Sequence, residues 1–338
     1  MLSIFEKLPD GLLDCEANEL HTILTGPSLI HLSGDRPEPL FVSVLLHGNE
    51  VTGWLAIREI LKHYEERRLP RAVSLFIGNV SAARDGVRHL DGQPDYNRIW
   101  RADSGHEEDK MVKIILEQMV SKDIFACIDV HNNSGRNPHY ACVNRLATPF
   151  FDLATTFSNT IVYFLKPDTV LSLAFSNICP SVTIECGKPS EPHGMEHARD
   201  YILSILARDE LEEHSRDVHN LNVFHTVAIV KLKQGVTVGL EETDCALQVS
   251  AELDQLNFSE LESGTRFGQV RNPDFIPIEA INEFGKDVAN RYFEIKDGYL
   301  CTTSAVMPSM LTLDMDIIRQ DCLCYLLERM DLSMTLST

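Results

Sequence analysis

Five short apolar runs punctuate the N-terminal part of the chain, and they limit its fold more than any other feature. They are residues 41–46 (FVSVLL), 74–77 (SLFI), 125–130 (FACIDV), 160–165 (TIVYFL) and 181–184 (SVTI). A run that short, with little polar alternation, reads as a strand buried on both faces. The intervening segments have helical period instead. Trp54, Ile57, Leu61 and Tyr64 form one stripe across residues 51–69, and residues 110–120, 150–159 and 196–213 read the same way. Strands alternating with helices predict an α/β sheet covered by helices on both faces. Residues 1–35 read as an arm with a hairpin near Gly26-Pro27.

The texture changes after about residue 218. Residues 223–232, the turn Gln234-Gly235 and residues 236–238 predict a hairpin, and short alternating segments continue through 246–313. Residues 316–330 have helical period. A chain of 338 residues fits a large domain plus a smaller one. The expected division is residues 1–217, α/β, and residues 218–338, β-rich.

Three of the apolar runs stop at a side chain able to bind metal. Residues 41–46 lead into His47-Gly48-Asn49-Glu50, residues 125–130 into His131, and residues 181–184 into Glu185. Ligands of open α/β sheets sit beyond the carboxyl ends of the strands, so three such ends converging is hard to assign to packing. A turn leaving a strand can aim positions i and i+3, His47 and Glu50, at one point. With His131 they make a two-histidine, one-glutamate set, a catalytic zinc arrangement that leaves a position open for water. Imidazole and carboxylate ligands also suit other divalent ions. His21, His63, His89, His106, His193 and His197 carry no comparable pattern.

The net charge of −20 argues against a nucleic-acid partner. It leaves room for a small anionic substrate, because a few arginines can set the local field of a pocket. The start, MLSIFEKLPD, lacks the basic and apolar regions of a signal peptide, and no apolar run could span a bilayer, so the expected location is cytoplasmic. Nine scattered cysteines without a C-x-x-C predict reduced thiols rather than a disulfide framework. Cys322 and Cys324 alone make a poor metal site.

Several motifs together resemble one family. They are H-G-N-E at 47–50, G-N-x-x-A at 78–82, D-Y-N-R-I-W at 95–100, D-V-H at 129–131 and T-I-E-C-G-K-P at 183–189. This set is similar to the succinylglutamate desuccinylase/aspartoacylase family, a branch of the zinc carboxypeptidase superfamily. The likeness covers most of residues 40–200 and extends to L-D-Q-L-N-F-S-E-L-E-S-G-T at 253–265. It implies one zinc ion held by His47, Glu50 and His131. It implies a zinc-carboxypeptidase-like mixed sheet and a zinc-dependent amidohydrolase that deacylates small, anionic N-acyl amino acids.

The resemblance also assigns roles. Glu185 matches the general base, and Arg88 the arginine that polarises the scissile carbonyl, with Arg84 a close rival. Asn97 and Arg98 match the pair that grips a substrate carboxylate, with Asp95 holding their loop. The stretch N-N-S-G-R-N-P-H-Y at 132–140 departs from the family pattern, although Arg136 and His139 echo it. Arg136 is therefore a further substrate-binding candidate, and Tyr299 in D-G-Y-L matches a substrate-contacting tyrosine of the second domain. Two other readings stay open. One is a metallocarboxypeptidase acting on the C-terminus of a short peptide, and the other is a non-catalytic metal-binding protein. No membrane partner is expected, and a homo-oligomer is left open.

Overall fold

The computed structural model describes residues 1–189, 191–212, 221–240 and 244–331. The chain divides into two compact units, Met1–Asn132 with His139–Asn222, and Asn133–Pro138 with Val223–Met330. The expected boundary at 217 lies outside the described residues.

The first unit is built on strands β1 (Ser3–Phe5), β2 (Ser28–Leu32), β3 (Gly34–Val44), β4 (Leu69–Ile77), β5 (Ala126–His131), β6 (Tyr140–Val143), β7 (Thr160–Tyr163) and β8 (Ser181–Glu185). They lie side by side in the order β1-β2-β4-β3-β5-β8-β6-β7. The central strands β4, β3, β5 and β8 are parallel, while β2 and β6 run against their neighbours β4 and β8, so the sheet is mixed. The unit's helices are α1 (Thr52–His63), α2 (Val80–Asp85), α3 (Glu108–Ser121), α4 (Thr148–Phe157), α5 (Leu171–Phe175) and α6 (Pro192–Leu206).

The apolar runs are continuous because both faces of each strand are covered. Phe41, Phe76 and Cys127 pack with Val112, Ile115 and Met119 of α3 and with Leu171 and Phe175 of α5. Val44 and Val130 point the other way, onto α1. There Gly53 lets the helix lie close, since a Cβ would stand 2.9 Å from side-chain carbons of both valines. This is the predicted α/β class with helices on both faces.

The N-terminal arm differs from expectation. β1 pairs parallel with β2, Ser3 opposite Ser28, and 3-10 turns at Leu12–Asp14 and Ala17–Thr22 carry the chain between them. Parallel neighbours need a crossover, which rules out a hairpin at Gly26-Pro27. β6 was not predicted. Its four residues follow the N-N-S-G-R-N-P-H stretch, whose turn residues hide a strand that short.

The second unit is β-rich. β9 (Asn222–Leu232) pairs antiparallel with β13 (Ile278–Ile281) and β17 (Cys324–Arg329), and β17 also pairs with β16 (Met307–Ser309). A second sheet runs β10 (Val238–Gly239), β11 (Leu247–Val249), β12 (Arg266–Val270), β15 (Tyr299–Thr302), β14 (Phe293–Lys296). Short helices α7 (Ala289–Tyr292) and α8 (Met315–Gln320) complete it. The core between includes Val230, Leu247, Phe267, Phe293, Leu300 and Leu326, with Phe267 and Phe293 edge to face at 5.1 Å.

Two predictions fail in this unit. Val238 joins β11 in the second sheet rather than folding back on β9. Residues 316–330 are not one helix. Asp314 caps α8 by accepting from the Asp316 and Ile317 backbone N–H groups, and the chain then extends into β17. Cys324 and Leu326 fill the core while Tyr325 turns away, and pairing with two strands overrides local helical period.

Among the described residues no cysteine is joined in a disulfide. Among the described residues no helix is long and apolar enough to cross a membrane.

Candidate metal centre

The site begins where β3 ends. Leu45 has φ 57°, a left-handed conformation that costs a side-chain-bearing residue about 1 kcal/mol or more. The kink takes the chain off the sheet edge, and the Leu45 carbonyl is held by the Asn79 N–H at 2.6 Å. The next turn closes when Glu50 N–H donates to the His47 carbonyl at 3.1 Å, which puts positions i and i+3 on one side. Gly48 is needed for closeness rather than for a special φ. A Cβ there would stand 2.2 Å from the backbone of Ala82 and Ala83 in α2. Its N–H also donates to the Arg88 carbonyl at 3.1 Å, tying the arginine's loop to the turn.

His47, Glu50 and His131 come together, all buried, with one potential ligand atom of each lying within 4.8 Å of the others. Glu50 is the centre. Its Oε1 is 2.7 Å from His47 Nδ1 and its Oε2 is 2.8 Å from His131 Nδ1. The Asn132 backbone N–H also donates to Oε2 at 3.0 Å. The outer ring nitrogens face other carboxylates, His47 Nε2 toward Asp95 at 3.0 Å and His131 Nε2 toward Asp129 at 3.0 Å.

The charges follow from this geometry. Burial and Arg88 oppose protonation of His47, but Glu50 and Asp95 outweigh them and hold its pKa above the ordinary 6.5. Burial likewise opposes His131, and Asp129 and Glu50 raise it well above that value. Glu50 is pushed up by burial and pulled down further by the two imidazoles, so it stays ionised.

Asp95 organises the neighbouring loop. It accepts from the Arg88 guanidinium at 2.9 Å and from the Asn97 backbone N–H at 2.7 Å. Burial raises its carboxyl, but Arg88, His47 and Arg98 hold it well below the ordinary range. Arg88 Nη1 is 3.9 Å from Glu50 Oε1, whereas the exposed Arg84 pairs with Asp85. Arg88 is thus the arginine beside the cluster. Asn97 accepts from the Leu171 N–H at 3.1 Å and places its Nδ2 3.3 Å from His131 Nε2. Arg98 folds back to donate to the Asn97 carbonyl at 3.0 Å.

Glu185 ends β8 directly opposite His131 in the parallel pairing with β5. It is buried, and burial pushes its pKa up to about 8. A carboxyl this basic can both take and give a proton near neutral pH. Asp129 was not singled out in the sequence, although D-x-H on a strand puts both side chains on one face. Arg136 and Tyr299 fall in the second unit. Arg136 is exposed, and the Tyr299 ring lies beneath the Arg266 guanidinium.

The donor set fits a divalent cation. Two Nδ1 atoms and a carboxylate converge, each imidazole is backed by a carboxylate on its other nitrogen, and such backing orients metal-binding histidines.

A sequence profile of the succinylglutamate desuccinylase/aspartoacylase catalytic domain matches residues 39–208. The chain belongs to the succinylglutamate desuccinylase/aspartoacylase family. Members of this family are deacylases, and the matched stretch contains every side chain of the cluster. Solved structures of similar fold include the succinylglutamate desuccinylase of Chromobacterium violaceum, with 15% identity, a TM-score of 0.58 and coverage of 90% of this chain and 89% of that one. Murine aminoacylase 3 is 15% identical with a TM-score of 0.55, covering 88% and 97%. The ectoine utilization protein EutE of Ruegeria pomeroyi, product-bound, is 13% identical with a TM-score of 0.55, covering 90% and 88%. At these identities the likeness establishes the fold. Comparison with curated proteins finds no match.

Proposed function

We propose that this protein is a zinc-dependent amidohydrolase that removes the acyl group from a small, carboxylate-bearing N-acyl amino acid. The observation that carries the reading is the arrangement around Glu50. Both histidines turn Nδ1 inward to one carboxylate and Nε2 outward to another, and a basic, buried Glu185 stands on the adjacent strand. Family membership supports the reaction class, and the succinylglutamate desuccinylases and aminoacylase 3 among the structural relatives support an acylated amino acid as substrate.

His47, Glu50 and His131 would hold the ion. When bound, zinc would polarise the amide carbonyl and bring the pKa of water near neutral. The protein's own groups do the rest. Glu185 takes one proton from the attacking water as its oxygen bonds to the carbonyl carbon. It then delivers that proton to the amine nitrogen as the C–N bond breaks. The Arg88 guanidinium, held in place by Asp95, donates to the oxygen on which negative charge develops. Arg98 and Asn97 hold the substrate carboxylate, a task suited to a planar guanidinium.

The test is amine release from a panel of N-acyl amino acids and short peptides by zinc-loaded protein, with chelated protein as control. Zinc-dependent cleavage of N-acyl amino acids is the expected result. Cleavage of peptides alone would replace the reading with a metallocarboxypeptidase, and binding of zinc with no cleavage would leave a metal-binding protein.

A further inference from the structure

The second unit contains an arginine placed unlike its neighbours. In a chain of net charge −20, Arg271, Arg291, Arg319 and Arg329 each ion-pair with an acid, respectively Asp244, Glu328, Asp316 and Glu260. Among the described residues no carboxylate pairs with Arg266 or with the exposed Arg136. The Arg266 guanidinium carbon instead stands 4.1 Å over the centre of the Tyr299 ring. The pairing of β12 with β15 shifts register between Arg266 and Gly268, and an irregularity of this kind re-aims a side chain.

Around this stack the sheet presents a polar row. Gln248 lies opposite Gln269, Gln269 opposite Tyr299, and Tyr299 opposite Lys296. Residues directly opposite in a ladder share a face. Val249 and Phe267 beside them are buried. Gly268 lets β11 and β12 close up, since a Cβ there would stand 2.6 Å from the Gln248 carbonyl oxygen. The result is a groove of about 350 Å³ lined by the polar Gln248, Arg266, Gln269 and Tyr299 and by the apolar Val249 and Phe267.

We propose that this groove of the second unit is a ligand site that binds a small carboxylate against Arg266. The guanidinium carbon rests over the Tyr299 ring, and Arg266 lines the groove. A fork of N–H donors held in one plane matches the two oxygens of a carboxylate. The Gln248 and Gln269 amides add neutral donors beside it. A ligand bearing one or two carboxylates on a short chain fits the volume.

The test uses the full chain and succinate as probe. Addition of succinate should shift the ring resonances of Tyr299, assigned with a Tyr299→Phe variant among tyrosines carrying a carbon-13 label. Calorimetry should show a site that Arg266→Ala weakens at least tenfold while the thermal midpoint stays put. Arg266→Lys keeps the charge but not the fork and should also lose most of the binding. Equal binding by wild type and Arg266→Ala would overturn the proposal, as would an unmoved Tyr299 signal. Inorganic phosphate binding where succinate does not would overturn the carboxylate assignment. None of these readouts depends on hydrolysis at the metal centre.

Discussion

Glu185→Gln separates the chemistry of the site from its stability. In metal-stripped protein burial lifts the Glu185 carboxyl from the ordinary 4.5 to about 8. That rise is about 5 kcal/mol of preference for the protonated form in the folded state. The folded chain therefore binds more protons than the unfolded chain between pH 4.5 and 8. The contribution is fully present below 4.5 and is lost as pH rises towards 8, at no more than about 1.4 kcal/mol per pH unit. Glutamine cannot ionise. The stability of wild type relative to Glu185→Gln should accordingly fall by about 3 to 4 kcal/mol between pH 5 and pH 8. Urea unfolding of chelator-treated protein at pH 5, 6, 7 and 8, followed by the fluorescence of Trp54 and Trp100, measures the difference. Taking the difference cancels the titration of distant groups, while the coupling of Glu185 to His131 and His47 stays within it. Parallel stability profiles would refute the burial argument. In metal-loaded protein the same variant should keep its zinc and lose turnover by roughly 10²–10⁴-fold. Loss of zinc instead would make Glu185 a ligand.

Other perturbations address the neighbouring groups. Arg88→Ala should lower kcat by roughly 10²–10³-fold, about 2.7–4 kcal/mol, the usual effect of removing one oxyanion donor. Turnover near wild type would remove Arg88 from that role. Asp129→Asn should weaken zinc binding by roughly 10–100-fold in competition with a chelator of known affinity, because His131 Nε2 loses its charged partner. Unchanged affinity would show that the strand alone orients the ring. Zinc affinity should also rise steeply with pH. His47 and His131 are held above the ordinary 6.5 in the metal-free site, so each must release a proton before Nδ1 can bind an ion. The logarithm of the apparent affinity should climb by up to about 2 per pH unit below the raised pKa values. A flat response between pH 6 and 7 would contradict the imidazolium pair.

The parts of this structure legible in the sequence are those set by local pattern. A strand buried on both faces must be apolar throughout, so β3, β4, β5 and β8 stood out, and the residues that follow β3 and end β5 and β8 named the site. Choosing between Arg84 and Arg88 was out of reach, because the two lie four residues apart and only the fold shows that Arg84 faces Asp85 while Arg88 meets Asp95. The C-terminal end misled for a related reason. An apolar stretch of mixed period takes its form from its partners, and β17 is a strand because β9 and β16 flank it.

Asp95 carries the least legible link of all. The resemblance implies only that Asp95 holds the loop of Asn97 and Arg98, yet one carboxylate meets His47 Nε2, the Arg88 guanidinium and the Asn97 N–H. Gly48 joins the same elements through the backbone, by its bond to the Arg88 carbonyl. The metal turn and the arginine loop are therefore fastened twice. A change at Asp95 should disturb metal affinity and oxyanion stabilisation together, whereas Arg88→Ala should spare the metal. That difference distinguishes a loop that positions the site from one that merely borders it.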